Sequence, residues 1–167
     1  MASRAMEAVT IAKQAGVRVS FDVADVFAIG AVRDLIWQLI REFAGILFLN
    51  ADEAGELLGS DLDHTAQRLG EEVPTVVLKR GARGATIVHE GVASEVKARM
   101  VKAVDTTGAG DSYAGGFLHG LALGWDVTRA ADLGSRVAAL TVSQVGAVVR
   151  DRQALASVLC EALVNGG

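Results

Sequence analysis

The chain is expected to adopt an α/β fold, a mostly parallel sheet with helices on both faces, organised as a single domain over residues 1–167. Three observations carry that expectation. The wholly apolar run at 46–49 suits a strand buried on both faces. Runs with helical spacing alternate with strand-like runs along the chain. Polar or glycine-rich turns fall at the C-terminal ends of strand-like runs, where open α/β sheets bind their ligands.

Taken in order, Met6, Val9, Ala12 and Lys13 before Gly16 predict a first helix closed by a glycine cap. A strand is predicted over 17–23. Leu35, Ile36, Leu39, Ile40 and Phe43 share one face of a helix over 31–43. Asn50 ends the strand at 46–49, a short helix follows over 52–58, and Asp61 is placed to cap another through Leu69. Thr75–Lys79 reads as the next strand. Ala85–His89 and Val92–Val96 flank Glu90-Gly91 as a hairpin. Helices over 112–123, 127–145 and 153–164 complete the pattern, the last capped by Asp151.

The length suffices for one α/β domain with a substantial core. A hydrophobic share of 51% with one proline excludes a disordered chain. A net charge of −4, a pI near 5.3 and no basic stripe interleaved with aromatics speak against nucleic acid as partner. The single cysteine, Cys160, cannot form an internal disulfide, so a reducing cytoplasm is the expected setting. Its spacing with Leu159 and Leu163 predicts a core position. The N-terminal residues lack the apolar run of a signal peptide. No uncharged apolar stretch reaches the roughly 18 residues of a membrane span. His64, His89 and His119 lack metal-ligand spacing.

The most informative segment is Asp105-Thr106-Thr107-Gly108-Ala109-Gly110-Asp111. Small residues between a strand-like and a helix-like run let backbone N–H groups approach a ligand, and the helix start adds partial positive charge. Asp111 stands where it can accept a proton from an attacking hydroxyl. A glycine-rich turn with an Asp cap is the plainer reading of the same residues.

The stretch 105–117, DTTGAGDSYAGGF, resembles the C-terminal signature of the ribokinase-type (PfkB) carbohydrate kinases, which include adenosine kinases. The resemblance extends from Val17 to Ala147. It implies an ATP-dependent phosphotransferase that uses Mg2+ and moves the γ-phosphoryl of ATP to a primary hydroxyl of a sugar or nucleoside. On it, Gly108, Ala109 and Gly110 form an anion hole and Asp111 is the catalytic base. Asp105 would help hold a monovalent cation behind the anion hole, or cap the turn through the Thr106 and Thr107 amides.

Asn50-Ala51-Asp52-Glu53 offers an amide and a carboxylate three residues apart, on one side of a helical turn. The spacing suits a capping box. It also resembles the family's Asn-x-x-Glu motif, in which Asn50 and Glu53 would serve magnesium, Glu53 through water. Lys79-Arg80-Gly81-Ala82-Arg83-Gly84 resembles the family's nucleotide loop, in which Gly81 would lie near the ATP phosphates and Lys79 and Gly84 would also contact the nucleotide. A solvated basic turn is its plainer reading. The small residues from Gly134 to Leu140, with Gly146-Ala147, resemble the helix bordering the adenine pocket, where Ser135 and Ala138 would touch the ring. Tight helix packing suits the same residues.

Family members carry a further N-terminal half with early strands, a substrate-binding carboxylate, a Gly-Gly motif and a lid, and none has a counterpart before Val17. The Asn that usually follows the Asp of the equivalent first strand is not apparent in Asp22-Val23-Ala24-Asp25. The resemblance therefore implies a ribokinase-like C-terminal portion, lid and N-terminal strands absent. The apolar edge near 17–21 would pair with a missing N-terminal half or a second copy. Ser20-Phe21-Asp22, Phe27, Arg33 and Phe48-Leu49-Asn50 look closest to bacterial adenosine-kinase-like members. A non-catalytic nucleotide-binding remnant acting through a partner, and a hydroxymethylpyrimidine-type vitamin-precursor kinase, are the alternative functions.

Overall fold

The computed structural model describes residues 2–59 and 61–164. Helix α1 (Ala2–Gln14) ends in the glycine cap that the sequence predicts: Gly16 sits at φ 68. Gly16 N donates to Lys13 O and Val17 N to Ala12 O, the paired bonds of a Schellman motif. Strand β1 (Val19–Asp22) follows at the edge of the sheet.

Helix α2 (Val26–Phe43) begins earlier than the apolar spacing predicts, because extended Asp25 accepts from Phe27 N at 2.8 Å and caps it. The backbone is non-helical at Val32 (φ −138, ψ 38), which sets this added first stretch apart from the predicted helix. Beyond it Ile36, Leu39 and Ile40 are buried and Leu35 and Phe43 partly so, as the helical period requires.

Strands β2 (Ala44–Asn50) and β3 (Thr75–Lys79) run parallel to β1 and to each other, with Asp22 opposite Phe48 and Asn50 opposite Lys79. Between them lie α3 (Ala51–Leu58) and α4 (Leu62–Glu72), the latter capped by Asp61, which accepts from His64 N at 3.1 Å. Strands β4 (Ala85–His89) and β5 (Val92–Val96) form the predicted hairpin. Its two-residue turn has positive φ at both Glu90 (50) and Gly91 (79), as a type I′ turn demands. The five strands stand in the order β1-β2-β3-β4-β5, a mixed and mostly parallel sheet.

By backbone packing the chain gathers into two compact units, one of residues up to Lys79 with Thr86–Ser94, the other of Arg80–Ala85 with Glu95 onward. In the first, Leu47, Leu49, Val76 and Leu78 on the strands meet Ile36, Ile40, Leu57 and Leu69 on the helices. Each such side chain taken fully out of water contributes about 1.5–3 kcal/mol. Ile46, Phe48 and Val77 alternate with these along the strands and are buried too, which explains why the strands read as unbroken apolar runs.

The second unit holds α5 (Ala109–Ala122), α6 (Val127–Val142) and α7 (Arg152–Val164). Helices α5 and α6 cross through small residues. A Cβ added at Gly116 would lie 2.9 Å from Gly134 Cα, and one at Gly120 would lie 2.8 Å from Ala130 Cα. The small residues of 134–140 thus begin as packing residues. Asp126 caps α6 through the Thr128 and Arg129 amides, and Asp151 caps α7 through Gln153 and Ala154. The core position expected for Cys160 is corrected: it is exposed, because α7 buries only Ala162 and turns its other face to water. Among the described residues no helix is long and apolar enough to cross a membrane.

Candidate active site

In the first unit, the polar groups gather at the C-terminal ends of β1, β2 and β3. Asn50 caps α3, its Oδ1 accepting from the Asp52 and Glu53 amides at 2.9 Å. Glu53 reaches back: Oε2 accepts from Asn50 N and Oε1 from Asn50 Nδ2, both at 2.7 Å. The capping box is therefore formed. Glu53 is buried at 3% exposure, and that desolvation, partly offset by the Asn50 amide and by Lys79, holds its pKa above the ordinary value.

Lys79, opposite Asn50 in the register, places Nζ 2.8 Å from Asp22 Oδ2. Its charge is thus matched inside this unit, with the ammonium 6.0 Å from the Phe48 ring. No local spacing in the sequence places Asp22 beside it. The two are 57 residues apart, and the tie depends on the strand order.

In the second unit, Gly81 opens a 3-10 turn (Gly81–Arg83) at φ 58, with open space where a side chain would stand. Gly84 differs: at φ 96, a Cβ there would run into the Val96 carbonyl and come within 2.7 Å of Ala98 N. It is needed for a close backbone approach. Ser135 is buried, with its hydroxyl donating to Lys97 O at 3.2 Å and accepting from Arg99 N at 3.1 Å. That hydroxyl holds the 97–99 segment against α6. Ala138 is half-buried on the same helix.

The signature turn folds onto the start of α5. The helix begins at Ala109, earlier than the expected residue 112, because Gly108 takes the left-handed N-cap position at φ 74. Ala109, Gly110 and Asp111 thus form its first turn. Ala109 N donates to Thr106 O at 3.2 Å, whereas the amides of Gly108, Gly110 and Asp111 have no acceptor among the described residues. These are the orphan donors of a helix start, with the positive end of the helix dipole behind them. Asp111 is exposed and its carboxylate has no partner among the described residues. Asp105 Oδ1 accepts from Thr107 N and Oδ2 from Gly146 N, each at 2.9 Å. Hydrogen bonds from the Thr107 side chain, the Thr107 amide and the Gly146 amide push its pKa down to about 2. Gly146 and Ala147 were expected beside an adenine ring; the structure shows them backing the turn.

Among the described residues no three His, Cys, Asp or Glu side chains gather to hold a metal ion. Glu53 and Asn50 are already bonded to each other, which suits contact with a hydrated cation through water better than direct ligation.

A family model described as pfkB family carbohydrate kinase matches residues 2–153. The chain is 32% identical over 121 residues to adenosine kinase of Saccharomyces cerevisiae, covering 64% of this chain and 36% of that one. The crystal structure of adenosine kinase from Sinorhizobium meliloti matches with a TM-score of 0.86 at 29% identity, over 92% of this chain and 48% of that one. A ribokinase II candidate from E. coli, solved in complex with ATP and Mg2+, matches with a TM-score of 0.80 at 28% identity, over 96% and 52%. The chain thus spans about half the length, or less, of these relatives. Since the match runs from α1 through the capping box, the hairpin and the α5 turn into α7, the chain belongs to the pfkB family of carbohydrate kinases.

Proposed function

We infer that this chain is the nucleotide-handling, base-carrying part of a kinase that moves the γ-phosphoryl of Mg-ATP to a primary hydroxyl of a sugar or nucleoside. The observation that supports this most is the start of α5. Three amides with no acceptor among the described residues stand beside an exposed carboxylate with no partner among them, a donor set that suits a phosphoryl group and the hydroxyl attacking it.

ATP would supply the transferred group, and magnesium would spread the charge on its phosphates. In this reading Asp111 takes the hydroxyl proton, and the amides of Gly108, Gly110 and Asp111 donate to the charge that develops. Asn50 and Glu53 orient water on the cation. Gly81 lets the 3-10 turn come close to phosphate, and Gly84 fixes that turn on the 96–98 segment. Ala138 offers the adenine side a surface, while Ser135 holds the 97–99 segment beside it. Lys79 acts through Asp22 rather than on phosphate directly. A monovalent cation at Asp105 would meet a carboxylate whose two oxygens already accept amides, so it is assigned no step. Among the described residues the outer side of β1 has no neighbour in the sheet, so a further strand, from a second copy or from an N-terminal half, is the expected partner there.

Transfer of labelled phosphate from ATP to ribose, fructose, adenosine and hydroxymethylpyrimidine tests the reading and selects the acceptor class. ATP binding with no labelled product leaves nucleotide binding as the function. Absence of ATP binding removes both.

A further inference from the structure

The turn at the start of α5 has local bonds, Ala109 N to Thr106 O and Ser112 N to Gly108 O, but its backbone and Asp105 are also tied to a distant segment, 142–147. Val142 O, at the end of α6, accepts from both Val104 N and Asp105 N, at 2.7 and 3.3 Å. Gly108 backs onto Ala147 so closely that a Cβ would lie 2.5 Å from the Ala147 carbonyl oxygen. Between these two contacts Asp105 accepts from Gly146 N with one oxygen and from Thr107 N with the other. A local Asx turn needs only the second bond. The first spans 41 residues and has no role in shaping the turn locally.

We propose that Asp105 is a positioning residue that clamps the turn to the 142–147 segment and thereby sets where the Gly110 and Asp111 amides point. The inference rests on the kinase reading and deepens it. Both bonds run from backbone amides to a carboxylate, and such charge-assisted bonds are stronger than neutral ones. It is also bidentate in effect, so the carboxylate cannot swing without releasing one amide. Donors that must meet a developing charge lose most of their value when free to drift by about 1 Å.

The substitution Asp105→Asn separates the two bonds. Its single oxygen retains the Thr107 contact, and its NH2 faces the Gly146 donor. Calorimetry of the 167-residue chain with ATP and with AMP, each in excess Mg2+, reads the effect. The clamp predicts ATP affinity about tenfold or more weaker and AMP affinity unchanged, because only the terminal phosphates need the oriented amides. Amide hydrogen exchange is expected to speed up at Gly146, Ala109 and Ser112, whose amides are bonded in the wild type, while α6 keeps its protection. Equal loss for both nucleotides, or a general loss of protection, marks a merely structural role and overturns the clamp. Unchanged ATP affinity overturns it as well. A wild-type chain that binds neither nucleotide overturns the kinase reading and the clamp with it.

Discussion

Replacing Glu53 with Gln tests the α3 capping box at the site where fold and proposed function share one side chain. The wild-type carboxylate accepts two bonds of 2.7 Å, from Asn50 N and Asn50 Nδ2. Glutamine has one acceptor oxygen, so one Asn50 donor must face an NH2 group at a position that is 3% exposed. Asn50 cannot flip to help, because its own oxygen holds the Asp52 and Glu53 amides. Losing one bond to a charged acceptor costs about 1.5–3 kcal/mol. Removing a carboxylate whose burial raises its pKa returns part of that. The expected net loss is about 1–2 kcal/mol at neutral pH. For a chain of this size that lowers Tm by roughly 2–8 °C. The pH dependence has a definite sign. With a raised native pKa, the folded chain keeps the Glu53 proton at pH values above 4.5, where the unfolded chain has released it. Wild-type stability from this group therefore falls as pH rises through that window, and the variant lacks the slope. The gap between the two widens on acidification from neutral pH toward 4.5. Thermal melts at both pH values, with a magnesium titration of ATP binding, measure it. Equal Tm at both pH values would refute the capping argument. An unchanged magnesium requirement would remove Glu53 from the cation role and leave its structural one.

Asp111→Asn should lower phosphoryl transfer by about 10²–10⁴-fold with ATP affinity unchanged, read in the labelled-phosphate assay and by calorimetry; activity above a tenth of wild type would exclude it as the base. Gly116→Ala should destabilise by about 1–3 kcal/mol through collision with Gly134 and the Leu133 carbonyl, less the helix-propensity gain of up to about 1 kcal/mol. A denaturation midpoint at or above wild type would show that α5 and α6 can separate freely. Asp105 contributes stability that is complete above 3.8 and is lost as pH falls through about 2. In acid titration by circular dichroism, Asp105→Asn should flatten the transition in that window, and an unaltered curve would deny the contribution.

Much of the local structure was legible because it is written within a few residues. Gly16, Asp61, Asp151 and the Glu90-Gly91 turn each act on neighbours, and Asn50 with Glu53 sit at the fixed offset of a capping box. The start of α2 was missed for a different reason. Asp25 caps it, but exposed Val26 and Phe27 break the apolar period that marks a helix. Cys160 misled because Leu159 and Leu163 supply an apolar spacing on a helix that turns little of its surface inward. The candidate site was legible as a set of motifs and not as a set of bonds. The Lys79–Asp22 pair, the Ser135 ties to 97 and 99, and the Asp105–Gly146 bond span 57, 36 to 38 and 41 residues. Such pairings follow from strand order and helix crossing, which no short window of sequence contains.

The Lys79–Asp22 pair has a consequence for how the sheet assembles. It joins β3 to β1, which are not neighbours, by reaching past the end of β2. Shifting either strand by one residue would turn its side chains to the opposite face. Lys79, whose side chain is 14% exposed, would then be left as an unmatched charge largely away from water. Apolar strands such as β2 and β3 have little else to tell one alignment from the next, since valine and leucine serve on either face. The ion pair thus works as a proofreading contact, silent in the correct alignment and costly in its neighbours.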